Sequence, residues 1–312
     1  MADDHDVSSR RKALRLLAAL PALAAMTHPT RASAAPALAT RPIPKSGEAL
    51  PVVGLGTWRV FDVGAERAAR ARLSEVLTLF AAGGAKLVDS SPMYGSAESV
   101  VGDLASALGL RKQLFLATKV WTSGREDGIA QMERSIARMH AGGTIDLIQV
   151  HNLVDVATHT KTLEDWKAKG RVRYIGITHY TASAHAALER WLKSGGYDFV
   201  QVNYSLDEPE AAERLLPLAQ EKRAAVLVNR PFGEGGMFAR VRGKALPAWA
   251  AELGIASWAQ YFLKWILGHP AVTCVIPGTG NPKHIVDNLA AGRGALPDEA
   301  MRRRMAQHFD SL

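Results

Sequence analysis

Three ionisable side chains stand at the C-terminal ends of consecutive apolar segments of this 312-residue chain: Asp89, Lys119 and His151. Each of them alone has an ordinary explanation, since an aspartate often caps a helix, a lysine often extends to solvent and a histidine is often structural. If the segments are neighbouring parallel strands, however, the three side chains meet at one edge of a sheet. A lysine buried there is unfavourable unless a carboxylate pairs with it. The spacing therefore predicts a polar site built around an Asp89–Lys119 pair.

The segments belong to a regular alternation of apolar runs and amphipathic stretches that begins near Pro51. In the middle of the chain the apolar runs recur at roughly the 30-residue interval of a βαβ unit, and they predict strands buried on both faces. The predicted strands are 52–55, 86–89, 114–119, 145–150, 172–177, 199–202, 225–228 and 272–276. Eight such strands favour an α/β fold of the (β/α)₈, or TIM-barrel, type over an open doubly wound sheet. This fold carries its chemistry at the C-terminal ends of the strands.

Amphipathic patterns between the strands predict helices, among them 66–80, 129–139, 182–192, 209–219 and 256–267. The segment 41–49 contains two prolines and a glycine, and we expect it to lead into the barrel or to form a short hairpin that closes its bottom. Because no long Pro/Ser-rich linker interrupts the pattern, residues 35–312 are predicted to form a single domain.

The composition excludes several classes of protein. The chain is 47% apolar and has one cysteine, Cys274, so it is neither a disordered chain nor one stabilised by internal disulfides. Lys and Arg number 38 against 30 Asp and Glu, a surplus that favours anionic small ligands modestly. Nucleic-acid binding is not predicted, because the sequence lacks a dense basic stripe with interleaved aromatic residues, and the one basic triplet after residue 34, 302–304, lies in a predicted exposed helix. Paired metal ligands at helical spacing are also missing from the sequence, so a metal site is not predicted.

The first 34 residues have the layout of an export signal. Arg10 and Arg11 precede an apolar stretch, 16–26, and small residues follow it up to an A-x-A cleavage pattern at 32–34. The apolar stretch is far shorter than the ~20 residues that cross a bilayer, so a permanent membrane anchor is not expected. The paired arginines resemble a twin-arginine signal. We therefore predict that residues 1–34 direct the protein to the export machinery and the periplasm, and that they are removed from the mature chain.

Four segments together resemble one enzyme family. The segment 89–95, which reads Asp-Ser-Ser-Pro-Met-Tyr-Gly, is similar to the D-[ST]-A-x-x-Y-G motif of the aldo-keto reductases. The motif is followed, in the family's order, by LATK at 116–119, QVH at 149–151, and VIPGT at 275–279 with Asp287 and Asn288. The resemblance covers about residues 50–293 and implies NAD(P)H-dependent reduction of aldehydes or ketones, with a small carbonyl compound as substrate. A monomer is expected.

The resemblance implies four catalytic residues, Asp89, Tyr94, Lys119 and His151, and the chemistry accounts for their types. Hydride transfer to a carbonyl leaves negative charge on its oxygen, which needs a proton donor, and Tyr94 takes that role. A phenol titrates near ~10, and a neighbouring ammonium from Lys119 lowers its pKa. Asp89 keeps Lys119 charged, and His151 orients the carbonyl oxygen.

The resemblance also assigns residues to the cofactor and the substrate. The cofactor residues are Thr57, Thr178, His179, Gln201, Asn229, Arg230, Phe232, Gly278, Thr279, His284, Asp287 and Asn288, and the substrate walls are Trp58 and Trp121. Four of these depart from the family: Thr178 and His179 stand where serine and asparagine are usual, and Gly278 and His284 stand where NADPH-preferring members often carry Lys and Arg. A fifth, Asn229, replaces an aromatic residue that stacks on the nicotinamide, and Arg230 beside it is expected to cover the ring edge or pair with the pyrophosphate. NADPH is the expected cofactor, with NADH as the alternative.

Two other functions stay open from the sequence. A lysine at a strand end is also typical of a Schiff-base lyase, in which Lys119 would attack a carbonyl as a neutral amine, although a paired carboxylate favours the charged form. The second alternative is an exported, non-catalytic barrel that kept the fold as a binding or assembly protein. The departures at His179 and Asn229 favour this alternative, because they lie at cofactor positions.

Overall fold

The computed structural model describes residues 36–312, and the predicted export signal lies outside the described residues. Ten strands occur in this part of the chain, two in a small antiparallel sheet and eight in a parallel one. In chain order they are β1 (Thr40–Pro42), β2 (Ala49–Pro51), β3 (Leu55–Gly56), β4 (Leu87–Asp89), β5 (Phe115–Val120), β6 (Ile145–His151), β7 (Val172–Thr178), β8 (Phe199–Asn203), β9 (Ala225–Asn229) and β10 (Val272–Val275).

The parallel sheet closes into a barrel. From β3 to β10, strands that are consecutive in the chain are paired with each other. The parallel bridges Val53–Val275 and Gly56–Gly278 join the first strand region to the last. Gly56 permits this closure, because a Cβ there would lie 2.8 Å from the backbone oxygen of Ile276. The predicted (β/α)₈ fold is therefore confirmed.

Helices follow the barrel strands and cover the outside of the sheet. They are α1 (Arg67–Ala82), α2 (Ala97–Ala107), α3 (Arg125–Arg138), α4 (Val156–Ala168), α5 (His185–Ser194), α6 (Leu215–Glu221), α7 (Gly236–Arg240), α8 (Trp258–Leu267), α9 (Pro282–Ala290) and α10 (Glu299–Asp310). In α1, Leu73, Val76, Leu77 and Phe80 recur at helical spacing and are buried. Over residues 36–312, none of the helices combines the length and the apolar character required to cross a membrane.

The hairpin β1–β2 closes the N-terminal end of the barrel. Ile43 and Leu50 are fully buried and belong to the cluster that fills the barrel interior, together with Phe115 and Phe199, which are the first residues of β5 and β8. The predicted hairpin at the bottom is thus confirmed. The buried polar side chains of Asp89, Lys119 and Gln201 lie toward the opposite end.

The predicted strands agree with the structure to within one residue at each end, except for the first. The chain was expected to form a strand over 52–55, but only Leu55–Gly56 pairs with β4. The preceding residues serve the barrel closure instead, where the backbone of Val52 and Gly54 exchanges hydrogen bonds of 2.9 and 2.8 Å with Val275. A closing seam of single bridges has no signature in the hydrophobic pattern.

Candidate active site

A cleft of about 690 Å³ opens at the C-terminal ends of the barrel strands. Its lining includes Asp89, Tyr94 and His151 from the predicted catalytic set, and Lys119 lies buried beneath Tyr94. The four predicted catalytic residues come from β4, the loop after it, β5 and β6, and the fold brings them together at one end of the barrel. A cleft of this size falls in the range that binds small organic ligands.

Lys119 and Asp89 form a buried ion pair at the base of the cleft. The Lys119 Nζ lies 2.6 Å from Asp89 Oδ2 and donates a second hydrogen bond of 2.7 Å to the backbone oxygen of Ser90. The two side chains are 0% and 3% exposed. Burial lowers the pKa of Lys119, but the charges of Asp89 and Tyr94 raise it more, so the pKa is raised overall. A raised pKa keeps Lys119 protonated at neutral pH, unlike the neutral amine that a Schiff-base lyase requires.

The second oxygen of Asp89 is bound by two glutamines. Gln149 Nε2 donates to Asp89 Oδ1 at 3.1 Å, and Gln201 Nε2 donates to the same atom at 3.0 Å. These bonds fix the carboxylate, so that its other oxygen faces Lys119. Gln149 belongs to the family-like segment 149–151 but had no assigned role. Its position in the middle of β6, pointing into the barrel with Asp89, is the signal that identifies it.

Tyr94 lies directly over the Lys119 ammonium, whose Nζ is 4.9 Å from the centre of the phenol ring. Burial raises the pKa of Tyr94 above its ordinary value, Lys119 opposes this rise, and Asp89 adds to it. The expected lowering by Lys119 is thus present, but the net direction in this structure is upward, because burial outweighs the ammonium. The phenol is therefore protonated at neutral pH and has a cation beside it that stabilises its phenolate form.

His151 is a neutral imidazole that lines the cleft. Burial lowers its pKa to about 2, and the charges of Lys119 and His179 act in the same direction. Its Nδ1 lies 3.0 Å from Ser91 Oγ, and its ring meets the Tyr94 ring edge-on at 5.9 Å. When Nδ1 accepts the Ser91 hydroxyl proton, the single N–H of the neutral ring is at Nε2. A ring in this state donates a hydrogen bond without adding a charge.

Six of the predicted cofactor residues line the cleft: Thr178, Gln201, Asn229, Arg230, Phe232 and Gly278. The Gln201 amide is already bonded within the protein, because its Oε1 accepts from Thr178 Oγ1 at 3.2 Å and from Asn229 Nδ2 at 3.3 Å. Within residues 36–312, Asn229 Oδ1 is buried and has no hydrogen-bond partner.

Arg230 lies at the cleft between two carboxylates. Its Nη1 donates to the backbone oxygen of Tyr180 at 2.8 Å and lies 3.6 Å from Glu208 Oε1, while its Nε lies 3.4 Å from Glu234 Oε1. Its backbone adopts a left-handed conformation with φ of 48°. The guanidinium is therefore fixed by the protein before any ligand arrives. Its predicted contact with a nicotinamide edge or a pyrophosphate stays a prediction.

Three predicted cofactor residues use their side chains within the protein. Thr57 is fully buried and donates to the backbone oxygen of Asp89 at 3.0 Å. His179 Nδ1 accepts from Tyr180 N at 3.0 Å, and its ring stacks on the Tyr180 ring at 5.3 Å. Asp287 accepts a hydrogen bond of 2.7 Å from Ser257 Oγ, at the start of α8. None of the three is among the cleft-lining residues of the described part of the chain.

The remaining cofactor residues surround the start of α9. Thr279 Oγ1 accepts a hydrogen bond from Asn281 N at 3.1 Å, and Asn281 caps the helix by accepting from Lys283 N at 2.9 Å. His284 is exposed in the first turn, and Asn288 is buried one turn further along the helix. The N-terminal end of a helix attracts anions through its free N–H groups and its dipole, so this arrangement suits a phosphate.

Exposed apolar side chains surround the cleft. Trp58 and Trp121, the predicted substrate walls, are 41% and 42% exposed, and Met93, Tyr180 and Phe238 also line the cleft with large exposed surfaces. These five account for most of the exposed large apolar residues in the described part of the chain. A concentration of apolar surface around one opening indicates a binding site for an apolar ligand body. Residues 36–312 contain no cluster of three or more His, Cys, Asp or Glu side chains suited to a metal ion.

The barrel and the buried Asp–Lys pair beneath a tyrosine match the expectation for one family, and a sequence comparison shows it directly. The model of the aldo/keto reductase family matches residues 52–306. This chain therefore belongs to the aldo/keto reductase family, a family of oxidoreductases.

Individual relatives are similar over most of their length. The chain is 30% identical to the methylglyoxal reductase YeaE of Escherichia coli (strain K12) over 254 residues, which cover 77% of this chain and 85% of that protein. It is 26% identical to the aldo-keto reductase str7 of Strobilurus tenacellus over 280 residues, covering 76% and 81%. Among solved structures, an aldo/keto reductase from Klebsiella pneumoniae in complex with NADP and acetate has the same fold, with a TM-score of 0.72, 24% identity and coverage of 84% of this chain and 93% of that one.

Proposed function

We propose that this protein reduces small aldehydes or ketones to alcohols with NADPH, and that Tyr94 is the proton donor. The observation that carries the proposal is the buried Lys119–Asp89 pair, with Nζ 2.6 Å from Oδ2, directly beneath the Tyr94 ring at the base of the cleft. Burying a charged pair costs desolvation energy, and a fold that needs only stability is served as well by apolar residues. A cation held beneath a phenol has a clear use in proton transfer.

The cleft has groups that suit a nicotinamide dinucleotide. Thr178, Gln201 and Asn229 line the cleft and would contact the carboxamide. The N-terminal turn of α9, with His284 and Thr279, would hold the 2′-phosphate. When bound, NADPH supplies the hydride that reduces the carbonyl carbon. The Klebsiella relative contains NADP, which supports the choice of the phosphorylated cofactor.

Four residues of this chain then act on the carbonyl oxygen, directly or through one another. His151 donates a hydrogen bond to that oxygen and orients it, because its neutral ring has one N–H available. Tyr94 transfers its phenolic proton to the oxygen as the negative charge develops. The Lys119 ammonium stabilises the resulting phenolate, and Asp89 keeps that ammonium charged and in place. Solvent then returns the proton to Tyr94. Trp58 and Trp121 would contact the apolar body of the substrate.

The variant Tyr94→Phe tests this assignment, because it removes one hydroxyl and leaves the ring over Lys119. A general acid contributes about 10²- to 10⁴-fold to a rate, so kcat for aldehyde reduction should fall by that factor while the Kd for NADPH stays within about twofold. The matched control is Tyr180→Phe, another tyrosine that lines the cleft but lies outside the Asp89–Lys119 cluster. It should leave kcat within about twofold. Unchanged turnover in Tyr94→Phe would overturn the mechanism.

We also propose that residues 1–34 are a twin-arginine-type export signal, and that residues 35–312 are the mature domain in the periplasm. The support is the order of Arg10 and Arg11, the apolar stretch 16–26 and the small residues at 32–34. A fusion of residues 1–40 to a reporter should be exported, and replacing both arginines by lysine should abolish this. Export that persists in the double-lysine variant would reject the twin-arginine signal.

A further inference from the structure

The segment 121–124, which directly follows β5 and is called the β5 loop below, begins with a tryptophan at the cleft. Trp121 lines the cleft and is 42% exposed. The centre of its ring lies 6.4 Å from the centre of the His151 ring. The direction of this one indole therefore sets the shape of the cleft next to His151.

A single side chain from α3 binds both backbone polar groups of Trp121. Trp121 N donates to Gln131 Oε1 at 2.6 Å, and Gln131 Nε2 donates to Trp121 O at 3.1 Å. A peptide N–H only donates and a peptide oxygen only accepts, so these two partners also determine which way the Gln131 amide faces. The two bonds fix the backbone of Trp121, and with it the direction of the bond that carries the indole.

The rest of the β5 loop is held from α4. His159 Nε2 donates to Thr122 O at 2.6 Å, and Asp155 Oδ2 accepts from Gly124 N at 2.8 Å. The His159 ring is fully buried, and a Cβ at Gly128 would lie 2.4 Å from its Cε1, so α3 has a glycine where the ring passes. Within the described part of the chain, His159 Nδ1 is buried without a hydrogen-bond partner. A glycine inside a helix and an unpaired buried nitrogen are both unfavourable, and both accompany the hold on this loop.

The β5 loop is therefore fixed by three side chains, although only its first residue, Trp121, has a large side chain. We propose that Gln131 is a positioning residue that holds Trp121 as a rigid wall of the cleft and thereby favours aldehydes with a flat apolar body. The proposal rests on the proposed carbonyl reduction. A wall that is ordered before the substrate arrives loses less conformational entropy when the substrate binds. Because Trp121 would contact the body of the substrate and not its reacting oxygen, Gln131 acts on binding and leaves the chemical step unchanged.

The test compares benzaldehyde, which has a flat apolar ring, with acetaldehyde, which has none. Gln131→Ala removes both hydrogen bonds to Trp121, and alanine suits the interior of α3. In this variant the KM for benzaldehyde should rise about 3- to 10-fold, the effect of one or two neutral hydrogen bonds, while kcat stays within about twofold. Both constants for acetaldehyde should stay within about twofold.

A second measurement needs no substrate. The fluorescence of Trp121 is obtained as the difference between a protein and the same protein with Trp121→Phe, and its anisotropy decay reports the motion of the indole. In the wild type this decay should follow the tumbling of the whole protein. In Gln131→Ala a faster component, in the nanosecond range of loop motion, should appear.

Gln113→Ala is the matched control, because Gln113 is an exposed glutamine just before β5, at the opposite end of the barrel. It should leave the kinetic constants and the anisotropy decay unchanged. An unchanged KM for benzaldehyde in Gln131→Ala, equal losses with the two aldehydes, or an unchanged anisotropy decay would overturn the role of Gln131. If the wild type reduced neither aldehyde with NADPH, the proposed function would fail and the effect on specificity with it, whereas the anisotropy would still show whether Gln131 holds Trp121.

Discussion

Gln201 and Asp89 are joined by a hydrogen bond of 3.0 Å across 112 residues of sequence. Gln201 lies on β8 beside the residues expected to hold the cofactor, and Asp89 holds Lys119. A single carboxylate thus connects the cofactor side of the cleft to the proton-donor side. The two sides are built on strands at different places around the barrel, and the fold brings them together at its centre.

The first prediction concerns the buried ion pair. Asp89→Asn keeps the shape of the side chain but leaves the Lys119 ammonium buried without a carboxylate. Breaking such a pair costs about 3–5 kcal/mol, which should appear as a lower free energy of unfolding in urea. Without the Asp89 charge, less opposes the lowering of the Lys119 pKa by burial, so this pKa should fall. As the pH is raised, the variant should therefore lose aldehyde reduction at a lower pH than the wild type does.

The matched control is Asp165→Asn, which breaks the exposed pair between Lys169 and Asp165 on α4. Exposed pairs of this kind contribute little, so the free energy of unfolding should change by less than about 1 kcal/mol. Equal changes in the free energy of unfolding would show that the buried Asp89–Lys119 pair contributes no more to stability than the exposed pair.

The second prediction concerns pH and His151. Its pKa is lowered to about 2 in the folded protein, whereas an unfolded histidine titrates near ~6.5. Between these values the unfolded chain binds a proton that the folded chain does not, so this residue makes stability fall as pH falls, by about 1.4 kcal/mol per pH unit. His151→Gln should remove this contribution. Its difference in unfolding free energy from the wild type should therefore change between pH of about 4.5 and 6.5 and be constant above about 7. A difference independent of pH would show that His151 is not buried as a neutral ring.

The third prediction concerns the bottom of the barrel. Leu50 is fully buried in the hairpin plug, which is the β1–β2 hairpin that closes the N-terminal end of the barrel. Leu50→Ala should therefore lower the free energy of unfolding by about 2–5 kcal/mol. The Kd for NADPH should not change, because the plug and the cleft lie at opposite ends of the barrel. Leu108→Ala, at an exposed position after α2, should cost less than about 1 kcal/mol. Loss of cofactor binding in the stably folded Leu50→Ala protein would contradict this separation of the two ends.

Much of the fold follows from the sequence because parallel barrel strands are continuous apolar runs. The pattern located seven of the eight barrel strands to within one residue and placed Asp89, Lys119 and His151 at their ends. The first strand was shifted, since residues 52–54 form a seam of single bridges rather than a ladder. Local hydrophobicity carries no information about such a seam.

The orientation of side chains at the loops did not follow from the sequence. Thr57 bonds the backbone of Asp89, His179 turns toward the backbone of Tyr180, and Arg230 lies between two carboxylates, although all were assigned to the cofactor by resemblance. These orientations depend on left-handed turns and contacts between loops that are distant in sequence, and one residue pattern is compatible with several of them.

The most direct test of the central claim is a titration of the protein with NADPH and with NADH, followed by quenching of tryptophan fluorescence, because Trp58 and Trp121 lie at the cleft. Saturable binding with a micromolar Kd, tighter for NADPH than for NADH, is the expected result. Absence of binding by either nucleotide would contradict the proposed reduction. The barrel would then be better described as a non-catalytic member of its family that kept the fold.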